Sequence, residues 1–412
     1  MRRVARRRRL LASACALALL VIAASLSGCT SSSSPPPSLP HSVYIWQRAW
    51  DPALVAAVGE SREFAASLRV LVLQVDRTGH VATSQDVDWP ALKSTGLPVT
   101  AVVRIDGSLS DERLRERVPG LIDQELGRWR SEGYGGGTLE IDYDCATSKL
   151  ADYARLLADI RASVLKTGTL SITALPAWRN APELDAVLAQ IDSSVLQVHA
   201  VRDPSSGLFD AGLAAQWIDD WSRRSATKPF LVALPAYGAR LKLDPEGRIA
   251  AVESEQRLPQ RSAGSRELKV DPREVATLIA QVSARAYPNL AGFAWFRLPR
   301  EGDERAWSLR TLRAVIERQP LQSQLRVALL ANTSGALDLV LHSDGTLDLP
   351  LPARLRVDGD CSAADGANGY SAVRGDSLYL ERTEDADLRA GSSRRIGWLR
   401  CREPAKVSVT AE

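Results

Sequence analysis

Between residues 42 and 320 short apolar runs rich in Val, Ile and Leu recur eight times, separated for the most part by stretches in which apolar residues return every three or four positions. The first pattern is that of a strand and the second that of an amphipathic helix. The runs lie at 43–47, 68–76, 98–106, 138–144, 169–178, 194–201, 229–238 and 292–298, and the helical period is clearest at 112–130 and 149–166. Strands covered by crossover helices on both faces read as near-continuous apolar runs, so this alternation predicts a parallel α/β sheet. Eight such units over about 280 residues match a (β/α)8 TIM barrel closing near Pro320. An open, doubly wound sheet is the competing arrangement of the same units. Beyond Pro320 the helical period gives way to short alternating segments separated by Gly, Asn and Asp, which predicts a small all-β, sandwich-like domain over 321–412.

The N-terminus is of a different kind. Arg2, Arg3, Arg6, Arg7, Arg8 and Arg9 precede an uncharged apolar run at 10–26 that ends Leu26-Ser27-Gly28-Cys29. The run falls short of the ~20 residues that span a bilayer and is charged on one side only, which predicts a signal peptide over 1–28. Leu-Ser-Gly-Cys resembles a bacterial lipobox, and the resemblance implies a lipoprotein acylated (palmitate-type chains) at Cys29. Thr30 in place of Asp after that cysteine implies, by the same resemblance, the periplasmic face of the outer membrane. Residues 29–41, rich in Ser and Pro, have almost nothing to bury and read as a tether.

Removing the leader changes the electrostatics. The whole chain carries a formal charge of +3, but six arginines leave with residues 1–28, so 29–412 carries −3. Composition therefore gives no support to a nucleic-acid partner. Outside Cys15 and Cys29, three cysteines remain: Cys361 and Cys401 share the C-terminal segment and are the expected disulfide, leaving Cys145 as the odd one.

The most informative stretch is Gly135-Gly136-Gly137-Thr138-Leu139-Glu140-Ile141-Asp142-Tyr143-Asp144. On a strand, Leu139, Ile141 and Tyr143 share one face and Glu140, Asp142 and Asp144 the other, with neighbours on a face ~6.6 Å apart. In a barrel the acidic face points inward and climbs towards the C-terminal rim, where active sites of this fold are built. Stacked acids in a packed interior repel one another and lose hydration, so at least one pKa should rise, as a general acid requires.

Here the chain resembles the family 18 glycoside hydrolases, chitinase-like barrels whose fourth strand ends in Asp-x-x-Asp-x-Asp-x-Glu; the motif falls on Gly137, Glu140, Asp142 and Asp144. Further echoes are Leu234-Pro235-Ala236-Tyr237-Gly238 and Gly292-Phe293-Ala294-Trp295, the latter where that family places a sugar-stacking Trp. The overlap covers most of 43–300, and the chain also resembles an uncharacterised group of bacterial secreted or lipid-anchored barrels. The resemblance implies Asp144 as proton donor, with Asp142 and Glu140 orienting substrate and tuning the donor, and Tyr237 and Trp295 positioning an oligosaccharide or polysaccharide, with no cofactor. Asp144 is one methylene shorter than the family's Glu, Gly137 replaces its first Asp, and Gln197-Val198-His199 carries His where the family has Tyr. These departures are equally those of a barrel that binds glycan without cleaving it, or of an envelope scaffold.

Other readings compete at single positions. Arg104 or Arg297 could neutralise the acids in a structural network, and Asp142 with Asp144 could hold a divalent cation, although no loop supplies the remaining ligands. Asp76 and Asp106 read as helix caps or loop anchors, and His199 as a rim residue or a base. Trp46, Trp178 and Trp295 lie near strand ends, where an indole can stack on a pyranose; Trp129, Trp217, Trp221 and Trp307 read as packing. A nucleophile elbow and a phosphate loop after a strand are both missing. A single run of βα units with an all-β tail also argues against a two-lobed solute-binding protein.

Overall fold

The structure is a computed structural model, and it describes residues 38–412 except 77–80, 85, 108–111, 135–137, 166–167, 200–206, 226 and 254–264. The leader, residues 29–37 of the tether, Cys29 among them, and Gly135-Gly136-Gly137 lie outside the described residues.

Eight strands form the barrel: β1 (His41–Ile45), β2 (Ser67–Val75), β3 (Val99–Ile105), β4 (Thr138–Asp142), β5 (Thr169–Ala174), β6 (Ser193–Gln197), β7 (Phe230–Pro235) and β8 (Leu290–Phe296). Each pairs in parallel with the next, and β1 pairs with both β2 and β8, so the sheet has no free edge. This closure excludes the open doubly wound sheet. At the seam Gly292 has φ +147°, and a Cβ there would meet the Pro40 carbonyl oxygen at 2.3 Å, so a side chain would push the two strands apart.

Around the barrel run α1 (Pro52–Ser61), α2 (Trp89–Thr95), α3 (Glu112–Ser131), α4 (Leu150–Ser163), α5 (Leu184–Ala189), α6 (Ala211–Arg224), α7 (Pro272–Arg285) and α8 (Leu309–Ile316). Asp51, Asp88, Asp210, Asp271 and Ser308 cap five of them through side-chain oxygens that accept N–H groups of the first turn. Asp106 is not among these caps; its carboxylate turns into the barrel mouth. The main core lies between sheet and helices and includes Leu139, Ile141, Leu156, Ile172, Leu234 and Trp295. A much smaller apolar cluster, Tyr44, Val102, Val195, Ala233 and Ala294, plugs the barrel interior.

One irregularity matters for the site. Arg69 and Leu71 face the interior of β2, but the β2–β3 register shifts between Leu71 and Leu73, and Val72 and Leu73 both join the outer core. The bulge reverses the inward parity from odd-numbered to even-numbered residues, so Gln74 points inward.

The C-terminal domain has two four-stranded antiparallel sheets. One orders Leu325–Ala331, Leu337–Ser343, Ser393–Cys401 and Cys361–Gly366; the other orders Tyr370–Arg374, Leu378–Arg382, Arg354–Asp358 and Ser408–Ala411. Leu339, Leu341, Leu355, Leu380, Ile396 and Leu399 fill the core between them. Cys361 and Cys401, paired across neighbouring strands, form a disulfide. Arg389 and Asp348 are among the residues that dock the domain on the barrel. Arg389 donates to the carbonyls of Asp303, Ala306 and Trp307 at 2.9, 2.6 and 3.0 Å, and Asp348 accepts the Ser308 N–H at 2.8 Å at the start of α8.

Candidate functional site

The inward column of β4 has two different ends. Glu140, fully buried, accepts the Tyr44 hydroxyl at 2.5 Å and is ion-paired with Arg69. Burial and the Glu140 charge together hold the Tyr44 phenol well above its ordinary pKa, so it stays a donor. Glu140 is therefore enclosed and does not line the pocket, which corrects its expected place beside substrate. The reason is the partner: Arg69, 71 residues earlier on β2, faces the same interior layer.

One layer higher, Asp142 and Asp144 share one guanidinium. Arg104 Nη1 donates to Asp142 Oδ2 and Asp144 Oδ2, both at 2.8 Å, while its Nε donates to Asp106 Oδ1 at 3.1 Å. Asp142 Oδ1 also accepts the Thr173 hydroxyl at 2.6 Å and is 3.5 Å from Gln197 Nε2. Burial pushes the Asp142 carboxyl up to about 6; Arg104 opposes this and Asp144 adds to it. Asp142 is thus a perturbed acid within this site. Asp144 has 38% of its side chain exposed and opens onto the barrel mouth.

That mouth is a cavity of about 400 Å³ at the C-terminal ends of the strands. Its size is that of a small-ligand site. One wall is polar: Gln74, Arg104, Asp106, Asp142, Asp144 and Gln197, with Gln74 Nε2 donating to Asp106 Oδ2 at 2.6 Å. The other is aromatic: Phe296 lies 5.0 Å from Trp46, 5.3 Å from Tyr237 and 5.8 Å from His199, ring centre to ring centre. His199 is 7% exposed, and burial lowers its pKa to about 4, so the imidazole is neutral near pH 7. Its Nδ1 is 3.3 Å from the Tyr237 hydroxyl, whereas Nε2 has no hydrogen-bond partner among the described residues. Among those residues no group of three His, Cys, Asp or Glu side chains is arranged to hold a metal ion.

Of the expected site residues, the cavity brings together Trp46, Asp142, Asp144, Gln197, His199 and Tyr237. It leaves out two tryptophans. Trp178 is fully buried in the helical layer, its indole N–H donating to the Cys145 carbonyl at 3.0 Å, because the chain turns outward once β5 has ended. Trp295 is fully buried on the outer face of β8 and donates to His41 Nδ1 at 2.9 Å. Period two explains this second correction: Ala294 and Phe296 face inward, so Trp295 cannot. The ring that reaches the pocket from this strand is Phe296. Cys145 is buried, and burial raises its thiol to about 12, which removes it as a nucleophile. Arg297 is a buried partner of Asp303 at 2.5 Å.

Lining residues not singled out from sequence are Tyr44, Arg48, Gln74, Thr173, Ala233 and Phe296. A signal existed for most of them. Tyr44 alternates with Trp46 along one strand face, Phe296 with Ala294, and Gln74 is a polar residue inside an apolar run.

Residues 95–301 match the family described as "Domain of unknown function (DUF3142)", and 326–402 match "Domain of unknown function (DUF8456)". The first match spans 207 of the 412 residues. No curated protein matches the sequence. Among solved structures the chain is similar to a chitinase from Chromobacterium violaceum ATCC 12472, with 15% identity and a TM-score of 0.47 over 68% of this chain and 98% of that one. It is also similar to the spore cortex-lytic enzyme SleL of Bacillus megaterium QM B1551, at 14% identity and a TM-score of 0.45 over 64% and 72%. A third is the tamarind chitinase-like lectin, at 13% identity and a TM-score of 0.42 over 69% and 100%.

Proposed function

From a chain that belongs to the DUF3142 family, whose description assigns no activity, and from its own pocket, we propose a barrel that binds an oligosaccharide or a polysaccharide end at the C-terminal mouth. The observation that carries this reading is the two-sided cavity. A pyranose has apolar C–H faces and a polar equator, and here Trp46, Tyr237 and Phe296 oppose the carboxylate and amide groups of Asp106, Asp144 and Gln197. Binding is favoured over cleavage because Arg104 engages both Asp142 and Asp144, the two groups that would act on a glycosidic bond.

Hydrolysis is the second reading. It rests on Asp142, whose pKa of about 6 leaves it partly protonated near neutrality, beside a half-exposed carboxylate. In that case a saccharide that displaces Arg104 from Asp144 frees the acid at the moment of binding.

One experiment separates the two. The purified protein is titrated calorimetrically with chitin, peptidoglycan and hexosamine-polymer fragments while products are followed by mass spectrometry. Binding without product supports the first reading. Product formation that Asp144→Asn abolishes supports the second, and no heat with any saccharide sinks both.

The proposal includes the location: a lipid at Cys29 and the tether that precedes β1, which is shorter than expected because His41 is already part of the barrel, hold the barrel at the periplasmic face of the outer membrane. Support comes from Leu26-Ser27-Gly28-Cys29 alone. Metabolic labelling with an alkyne fatty acid should mark the wild type and miss Cys29→Ser; equal labelling of both would overturn it.

A further inference from the structure

Three carboxylates, Asp106, Asp142 and Asp144, line the pocket against one guanidinium inside it, Arg104, and one at its mouth, Arg48. His199 adds no charge, since burial keeps its imidazole neutral near pH 7. Arg104 is already shared among all three acids, and Arg48 donates to Gln74 Oε1 at 3.1 Å on the exposed rim. The pocket is therefore left with an excess of acceptors: Asp144 Oδ1 accepts no hydrogen bond among the described residues while its side chain opens onto the cavity.

The opposite wall favours the same kind of ligand. Trp46, Tyr237 and Phe296 line that wall; an aromatic face attracts a cation placed over it, and a carboxylate lining the same cavity adds to that attraction. A neutral acetamido group gains neither, and a uronate meets repulsion from the acidic wall. His199 lines the pocket, and its buried Nε2 has no hydrogen-bond partner among the described residues. A neutral imidazole nitrogen suits a sugar hydroxyl, which can donate or accept.

We infer that the pocket selects saccharides carrying a free amine, a hexosamine with its ammonium between the Asp144 carboxylate and the aromatic wall and a ring hydroxyl on His199. This rests on the saccharide reading above and sharpens it from a shape to a charge. The ammonium takes Asp144 Oδ1 while Arg104 keeps its place on Oδ2, so no covalent step is involved.

The test uses three matched probes with the purified full chain: glucosamine oligomers, their N-acetylated counterparts and galacturonic acid oligomers, titrated at low and high salt. The free-amine oligomer should bind on the order of tenfold tighter than the N-acetyl one at low salt, and the ratio should shrink as salt screens the charges. Asp144→Asn should reduce that ratio several-fold. His199→Gln, which offers an amide in place of the imidazole, should weaken all hexosamines without changing their order. Equal or tighter binding of the N-acetyl or uronate oligomer overturns the charge selectivity and leaves the saccharide reading standing. An absence of binding by all three overturns both.

Discussion

Two ends of one strand face behave in opposite ways. Glu140 and the pair Asp142 and Asp144 follow one another at period two along β4 and just beyond it, yet the first is enclosed away from the cavity, whereas Asp142, though buried, lines the barrel mouth and Asp144 opens onto it. The lower layer pairs one acid with one guanidinium and adds a phenol donor. The upper layer sets two acids on a single Arg104 nitrogen and adds Asp106 at its Nε. A buried charge persists when it is neutralised and hydrogen-bonded, and a surplus charge is tolerated where water or ligand reaches it. The same residue type on the same face thus serves packing at one level and a site at the next.

The largest expected effect tests the closed layer. Glu140→Ala strands Arg69 as an unpaired buried charge and should cost about 3–5 kcal/mol in urea unfolding. A double replacement of Glu140 and Arg69 by Leu and Met should recover most of this. A loss below about 1 kcal/mol for the single variant would mean the lower layer behaves like an exposed pair, and the contrast would collapse.

A middle-sized effect is read in pH. His41 and His199 have folded pKa values of about 4, lowered by burial, against an ordinary 6.5. Between those values the unfolded chain binds more protons than the native one, so their contribution to stability rises with pH. Asp142 acts in the other direction: its pKa is about 6 in the fold against 3.8, so the native state holds the extra proton and stability falls as pH rises through that interval. Two histidines outweigh one aspartate, and the wild-type unfolding midpoint should climb from about pH 4 to about pH 6.5. Asp142→Asn removes the opposing contribution and should steepen the rise by up to about 3 kcal/mol across pH 4 to 6. An unchanged profile would show that Asp142 is not perturbed as its burial requires.

The smallest effect belongs to the open layer. Asp144→Asn should change unfolding stability by less than about 1 kcal/mol, since the group is half-exposed and Arg104 keeps Asp106 and Asp142. Its consequence should be seen in saccharide binding instead. A stability loss as large as that of Glu140→Ala would make Asp144 part of the structural network and erase the distinction.

What the chain discloses by itself is what depends on neighbours in sequence. Alternating apolar runs and helical stretches are properties of a few consecutive residues, so eight βα units and a β-rich tail were legible. So was the parity that turns Glu140, Asp142 and Asp144 inward together. That same parity, carried through β8, already argues for Phe296 and against Trp295, which the motif likeness to chitinases obscured. What only the tertiary structure decided depends on partners far apart in the chain. Arg69 reaches Glu140 across 71 residues and Tyr44 across 96, because barrel closure and register put them in one layer. The β2 bulge, which brings Gln74 into the pocket, arises from how β2 pairs with β3 and leaves no periodic trace in the sequence. Whether an acid is sealed or open follows from which distant cation arrives beside it, and pairing across the sheet sets that.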